Sequence, residues 1–144
     1  MKKVFLIGTL MCIICFISAC SKERHLIGKW EYTTATVHHI NEYYGVDTTF
    51  TASPVNSQTP ILDEITFNAD GTANMYNETW SWTLKDDTIH LAYQYNSDGS
   101  EYHQVDMLWK IESLSSKEFV AAWRRETNGV AGPDIWITTT TFHR

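Results

Sequence analysis

The stretch "ITFNADGTANMYNETWSWTLKDDTIHLAYQY" (65–95) decides the fold. Apolar residues recur at every second position: Ile65 and Phe67, then Ala73 and Met75, then Trp80, Trp82 and Leu84, then Ile89, Leu91, Tyr93 and Tyr95. A period of two is the signature of strands with one buried face, and no stripe of helical spacing runs through it. Polar turns break the runs. "NADG" (68–71) supplies Gly71 where a tight hairpin needs a positive φ, and "KDD" (85–87) reverses the chain again. The stretch predicts hairpin-linked strands at 61–67, 72–77, 79–85 and 88–95.

The same pattern continues on both sides. Upstream, Ile27–His38 aligns Trp30, Tyr32, Thr34 and Thr36 on one face. Downstream, Glu101–Ile111 aligns His103, Val105, Met107, Trp109 and Ile111, and Glu118–Arg125 aligns Phe119, Ala121, Trp123 and Arg125. In Asp134–His143, Trp136, Thr138, Thr140 and Phe142 compete with Ile135 and Ile137 for the inner face. Eight short strands in sequential order are expected to form an all-β, antiparallel up-and-down barrel, which closes its own edges. The one long interruption, Ile40–Pro60, exceeds the ordinary length of a connection, and is either a lid over the barrel mouth or a plain loop. Tyr43, Tyr44 and Phe50 are its covering residues, and "VDTTFTA" (46–52) leaves room for a short extra strand.

The N-terminus carries a different signal. Lys2 and Lys3 precede an apolar run from Val4 to Ile17, followed by small Ser18 and Ala19. This order predicts a secretory signal peptide over residues 1–19. The run is shorter than the ~20 residues of a spanning helix. Residues 20–25 form a short polar tether, and 26–144 the folded domain. Without Lys2 and Lys3, 9 basic and 17 acidic residues remain, a net of −8. That balance argues against nucleic acid and anionic lipid surfaces as partners. Cys12 and Cys15 fall in the signal segment, so the mature chain keeps no cysteine pair.

Two resemblances follow from these motifs. "ISAC" (17–20) resembles the lipobox of bacterial lipoproteins, which implies cleavage before Cys20, thioether acylation of Cys20 and palmitate-type chains in a bilayer. "LIGKWEY" (26–32), "ITFNADGTANMY" (65–76), "WSWTLKDDTIHL" (80–91) and "TTTTFHR" (138–144) resemble bacterial lipocalin-like lipoproteins. The resemblance implies an eight-stranded barrel whose floor is closed by Gly28 and Trp30, with Arg144 packed over the Trp30 ring. It also implies an exported protein held at a bacterial membrane, expected to be the outer one.

The inward residues then define a candidate ligand site: Tyr32, Trp82, Tyr93, Tyr95, His103, Trp109, Trp123 and Arg125. Aromatic walls with a few polar groups suit a small, partly apolar molecule or a glycan. The same bulk could fill the barrel, and the alternative is a solid barrel that binds a protein or glycan partner through its exterior. Catalysis is not expected. No G-x-S-x-G elbow, phosphate-cradling glycine loop or metal-ligand spacing is present, and His38 and His39 point to opposite faces of a strand. No cofactor, metal or nucleic acid is expected, and the domain is read as a monomer.

Overall fold

The computed structural model describes residues 22–52, 63–96, 102–129 and 132–144. The signal segment, Cys20, the 53–60 part of the Ile40–Pro60 stretch and the predicted turn tips at 97–100 and 130–131 lie outside them. Nine strands follow in chain order: β1 (Gly28–Asn41), β2 (Val46–Ala52), β3 (Glu64–Phe67), β4 (Thr72–Met75), β5 (Glu78–Lys85), β6 (Thr88–Asn96), β7 (Tyr102–Leu114), β8 (Glu118–Gly129) and β9 (Gly132–His143). Each pairs antiparallel with its neighbour, and β9 returns to β1 from Glu31↔His143 to Asn41↔Asp134, closing the sheet.

Nine strands fill eight positions. β3 pairs with the start of β1 (Gly28–Glu31), and β2 pairs with the same edge of β1 higher up (Ala35–Asn41). The Ile40–Pro60 stretch is therefore not one irregular loop. β1 runs on to Asn41, four residues turn, and 46–52 forms a strand.

Two register shifts correct the expected faces. Pairing of β1 with β9 slips between Tyr32 and Thr34, and from there Ala35, Val37, His39 and Asn41 point inward. Thr34 and Thr36, expected inside with Trp30, are turned outward. An unpaired residue moves every later side chain to the other face. A second shift, between Ile111 and Ser113, lies where β7 approaches its turn. On β9 the competition resolves for Trp136, Thr138, Thr140 and Phe142, since fully buried Phe142 shares their parity.

The lower half is solid. Trp30 lies against Phe119 (ring centroids 5.6 Å), Phe119 stacks on Phe142 (5.3 Å), Phe142 stacks on Trp109 (5.8 Å), and Phe67 meets Trp82 edge-on (5.2 Å). Leu26, Ile65, Ile89 and Leu91 complete a core with no exposed surface. Leu26 ends a single helical turn, Lys22–Leu26, that covers the barrel floor. Of the polar tether expected over 20–25, Lys22–His25 belong to this turn, and Lys22 makes an ion pair with Asp87 in the β5–β6 turn.

The upper half is parted. Pairing between β7 and β8 stops at Lys110↔Ala122, although β7 extends up to Tyr102 and β8 to Gly129. The outer edge of β2 also has no strand beside it among the described residues. Above the core the barrel therefore divides into two leaves, β2-β1-β9-β8 and β5-β6-β7.

Candidate functional site

The floor is built around Trp30. Its indole N–H donates to the Leu26 carbonyl at 2.7 Å, which satisfies the one polar group of a fully buried ring. The Arg144 guanidinium carbon sits 4.1 Å from the ring centroid, a cation–π contact. Arg144 Nη2 also donates to the carbonyls of His25 (3.0 Å), Leu26 (3.3 Å) and Ile27. Gly28 makes this possible. Its φ is +124°, and a Cβ there would lie 3.1 Å from Arg144 Nη2. Gly28, Trp30 and Arg144 thus form one structural unit, remote from the mouth.

The open half holds the groups that could meet a ligand. On the β5-β6-β7 leaf an aromatic ladder climbs the inner wall: Trp80 stacks on Tyr93 (5.2 Å), Tyr93 on Tyr95 (6.1 Å), and Tyr95 adjoins His103 (5.3 Å). The Tyr93 hydroxyl donates to Glu78 Oε2 at 2.7 Å, and this bond holds the Tyr93 hydroxyl above its ordinary pKa. Tyr95 and Val105, both of inward parity, are 40% and 37% exposed. The inner wall here is open to water rather than packed.

On the facing leaf, Asp134 organises the rim. Its Oδ1 contacts His39 Nε2 (2.7 Å) and accepts from Asn41 Nδ2 (3.1 Å), and its Oδ2 accepts from Trp136 Nε1 (2.9 Å). The bond from Trp136, then those from His39 and Asn41, bring the Asp134 carboxyl down to about 2. His39 lies flat on Trp136, with ring centroids 3.7 Å apart. Asn41 is buried, and its Oδ1 accepts from the Tyr44 backbone N–H (3.1 Å), which fixes the β1–β2 turn. Lower on this leaf, the Tyr32 hydroxyl donates to the Ala52 carbonyl (2.8 Å) and is held above its ordinary pKa by burial.

The eight predicted ligand residues therefore separate into two groups. Trp82 and Trp109 belong to the solid half: both are buried, and Trp82 Nε1 donates to the Asn68 carbonyl (3.0 Å). Tyr93, Tyr95 and His103 line one leaf, Trp123 and Arg125 stand on the inward parity of β8, and Tyr32 lies at the boundary. Of the expected covering residues, Phe50 is on the inner side of β2 and 47% exposed, while Tyr43 and Tyr44 stand out from the rim turn at 71% and 69%. They make an edge-on pair with each other (5.0 Å).

Sequence reasoning missed the Asp134–His39–Trp136–Asn41 cluster, because the β1 bulge that turns His39 inward leaves no mark in the alternation. It also missed a crevice of about 240 Å³ at the base, lined by Lys22, His25, Asp87, Ile111, Glu112, Ser113 and Leu114. That crevice follows from the helical turn and the β7 bulge. Its charges are of both signs and Lys22 and Asp87 already pair, so the open half is the better candidate site. Among the described residues no three His, Cys, Asp or Glu side chains converge as a metal site.

No family model, curated protein or solved structure matches the chain.

Proposed function

We propose that this protein is a lipocalin-like lipoprotein of the bacterial cell envelope that binds a small, partly apolar molecule between the two leaves of its open half. The observation that carries this reading is the contrast between the halves. Below, aromatic side chains fill the barrel; above, inward residues of the same kind remain exposed. Exposed apolar surface on a concave wall is costly unless something covers it. The reading assigns no catalytic group, cofactor or metal. Anchoring through acylated Cys20, after removal of residues 1–19, is part of the same proposal.

Native mass spectrometry of the protein recovered from membranes tests the binding reading. A co-purifying small molecule, lost on unfolding, is the expected result; repeated recovery of ligand-free protein that also takes up no amphiphile would sink it. For the anchor, Cys20→Ser should give a soluble, folded domain. Continued membrane association after signal cleavage would refute the lipid.

Tyr43 and Tyr44 favour a second reading, in which the rim docks a protein or glycan of the envelope. Replacing both with Ser separates the two: partner capture is lost, while uptake of small molecules is unchanged.

A further inference from the structure

The crevice at the base of the barrel lies apart from the open half and has a chemistry of its own. One wall is the helical turn Lys22–Leu26. Fully buried Leu26 roots it in the core, and Arg144 Nη2 donates to the His25 carbonyl at 3.0 Å. The other wall is the end of β7, where pairing with β8 shifts between Ile111 and Ser113 and leaves Glu112 as the extra residue. The Ile111 backbone N–H donates to the Asp87 carbonyl in the β5–β6 turn (2.7 Å), which sets the bottom of the gap. The space is about 240 Å³. Pockets that enclose a drug-sized molecule run to roughly 300–1,000 Å³, so this one has the size of a polar headgroup rather than of a whole lipid.

The lining is charged in both senses. Lys22 and His25 stand on the turn, Asp87 and Glu112 on the barrel, and Ser113 lies among them. Lys22 pairs with Asp87, and Glu112 with Lys110 at 3.5 Å, but all four side chains are at least 45% exposed. Exposed pairs contribute little to stability, so a ligand's own charges can replace them at small cost. An anion here would meet Asp87 and Glu112, and a cation would meet Lys22; a zwitterion matches both signs. The carboxylates accept hydrogen bonds, which a primary ammonium donates and a trimethylammonium cannot. A trimethylammonium is held instead by aromatic rings, and none lines the crevice.

We infer that the basal crevice binds the phosphoethanolamine headgroup of a bilayer lipid, its phosphate on Lys22 and His25 and its ammonium on Asp87 and Glu112. The bilayer as source rests on the anchoring reading above; interior binding plays no part. Lys22 is two residues after Cys20, so an anchored protein holds the crevice among headgroups. Their effective concentration fills a site of only millimolar affinity.

Amide NMR of the protein purified in dodecyl maltoside, a detergent with an uncharged sugar head, tests the site. The probes are glycerophosphoethanolamine, glycerophosphocholine and glycerophosphoglycerol. Saturable shifts at His25, Asp87 and Ser113 are expected, with the ethanolamine head bound at least about fivefold more tightly than the other two. Glu112→Gln removes the preference for ethanolamine over choline, and Lys22→Gln weakens binding of all three. Glu23→Gln, a change of charge on the same turn outside the crevice, leaves both intact. Unchanged melting temperatures show that the variants fold. Equal binding of the three heads, or none, overturns the inference. In nanodiscs the same resonances should shift when phosphatidylethanolamine replaces phosphatidylcholine. If the soluble head binds and the nanodiscs give no response, the bilayer is not its source. The anchor is judged separately by Cys20→Ser: should that fail while the soluble head binds, the site stands and the anchoring reading falls alone.

Discussion

At the scale of single residues, the floor and the rim each depend on one charged group. Arg144 covers the Trp30 ring and donates to three carbonyls at the start of the barrel. Arg144→Ala removes a cation–π contact worth about 0.5–2 kcal/mol and leaves carbonyls without a donor. A loss of about 2–3 kcal/mol is expected in urea unfolding, and Arg144→Lys should recover only part of it, since one ammonium cannot cover the ring as a planar guanidinium does. At the rim, the folded-state carboxyl of Asp134 is brought down to about 2 from 3.8. A lowered carboxylate stabilises the fold above its unfolded value and loses that contribution as pH falls through the folded value. The Trp136 indole N–H resonance should therefore be constant above pH ~4 and shift with a midpoint near pH 2. In Asp134→Asn that titration disappears.

Elements show where sequence reading succeeds and where it stops. The hairpin around "NADG" was legible because its chemistry is local. Gly71 has φ +83°, and Asp70 accepts from the backbone and hydroxyl of Thr72 (3.0 and 2.6 Å). The aromatic faces of β5, β6 and β7 were legible because one-to-one pairing preserves alternation. The inner face of β1 beyond Tyr32 was not: an unpaired residue is set by how the barrel closes, and alternation is blind to it. The short extra strand that 46–52 left room for is β2, although its residues alternate weakly because nearly all are exposed. For the same reason Tyr93, Tyr95 and Arg125 could be placed on the inner wall, and His39 and Asp134 could not.

The β4–β5 turn belongs to this scale too. Tyr76 and Asn77 both have positive φ (54° and 62°) between Met75 and Glu78, the backbone of a type I′ hairpin. Such turns favour Asn-Gly, and a bulky residue in the left-handed region is strained. Tyr76→Asn should raise stability by roughly 0.5–1 kcal/mol, read as a higher melting temperature. A fall instead would mean that the exposed Tyr76 ring makes a contact worth more than its backbone strain.

For the molecule as a whole, the division into a packed half and a parted half predicts two tiers of stability. Backbone amides of the lower ladders, such as Trp30 and Phe142, lie in the complete barrel. Those on the β7 and β8 edges above Lys110 and Ala122 have no strand partner across the seam. Local opening follows the density of buried contacts. Hydrogen exchange should be slowest in the first set and near the unprotected rate along the facing β7 and β8 edges. A small molecule held between the two leaves, as proposed above, is expected to slow the second set selectively.

If Cys20 carries the proposed lipid, the helical turn Lys22–Leu26 sets an orientation. It caps the barrel floor, and Cys20 lies only two residues ahead of Lys22, a reach of about 7 Å for extended chain. The floor would then rest at the bilayer surface and the leaves would open away from it. β1 spans 14 residues, which at barrel tilt puts the rim roughly 35 Å out into the aqueous space. The molecule would then be a cup standing on its base, collecting what arrives through water and turned away from the lipids that hold it.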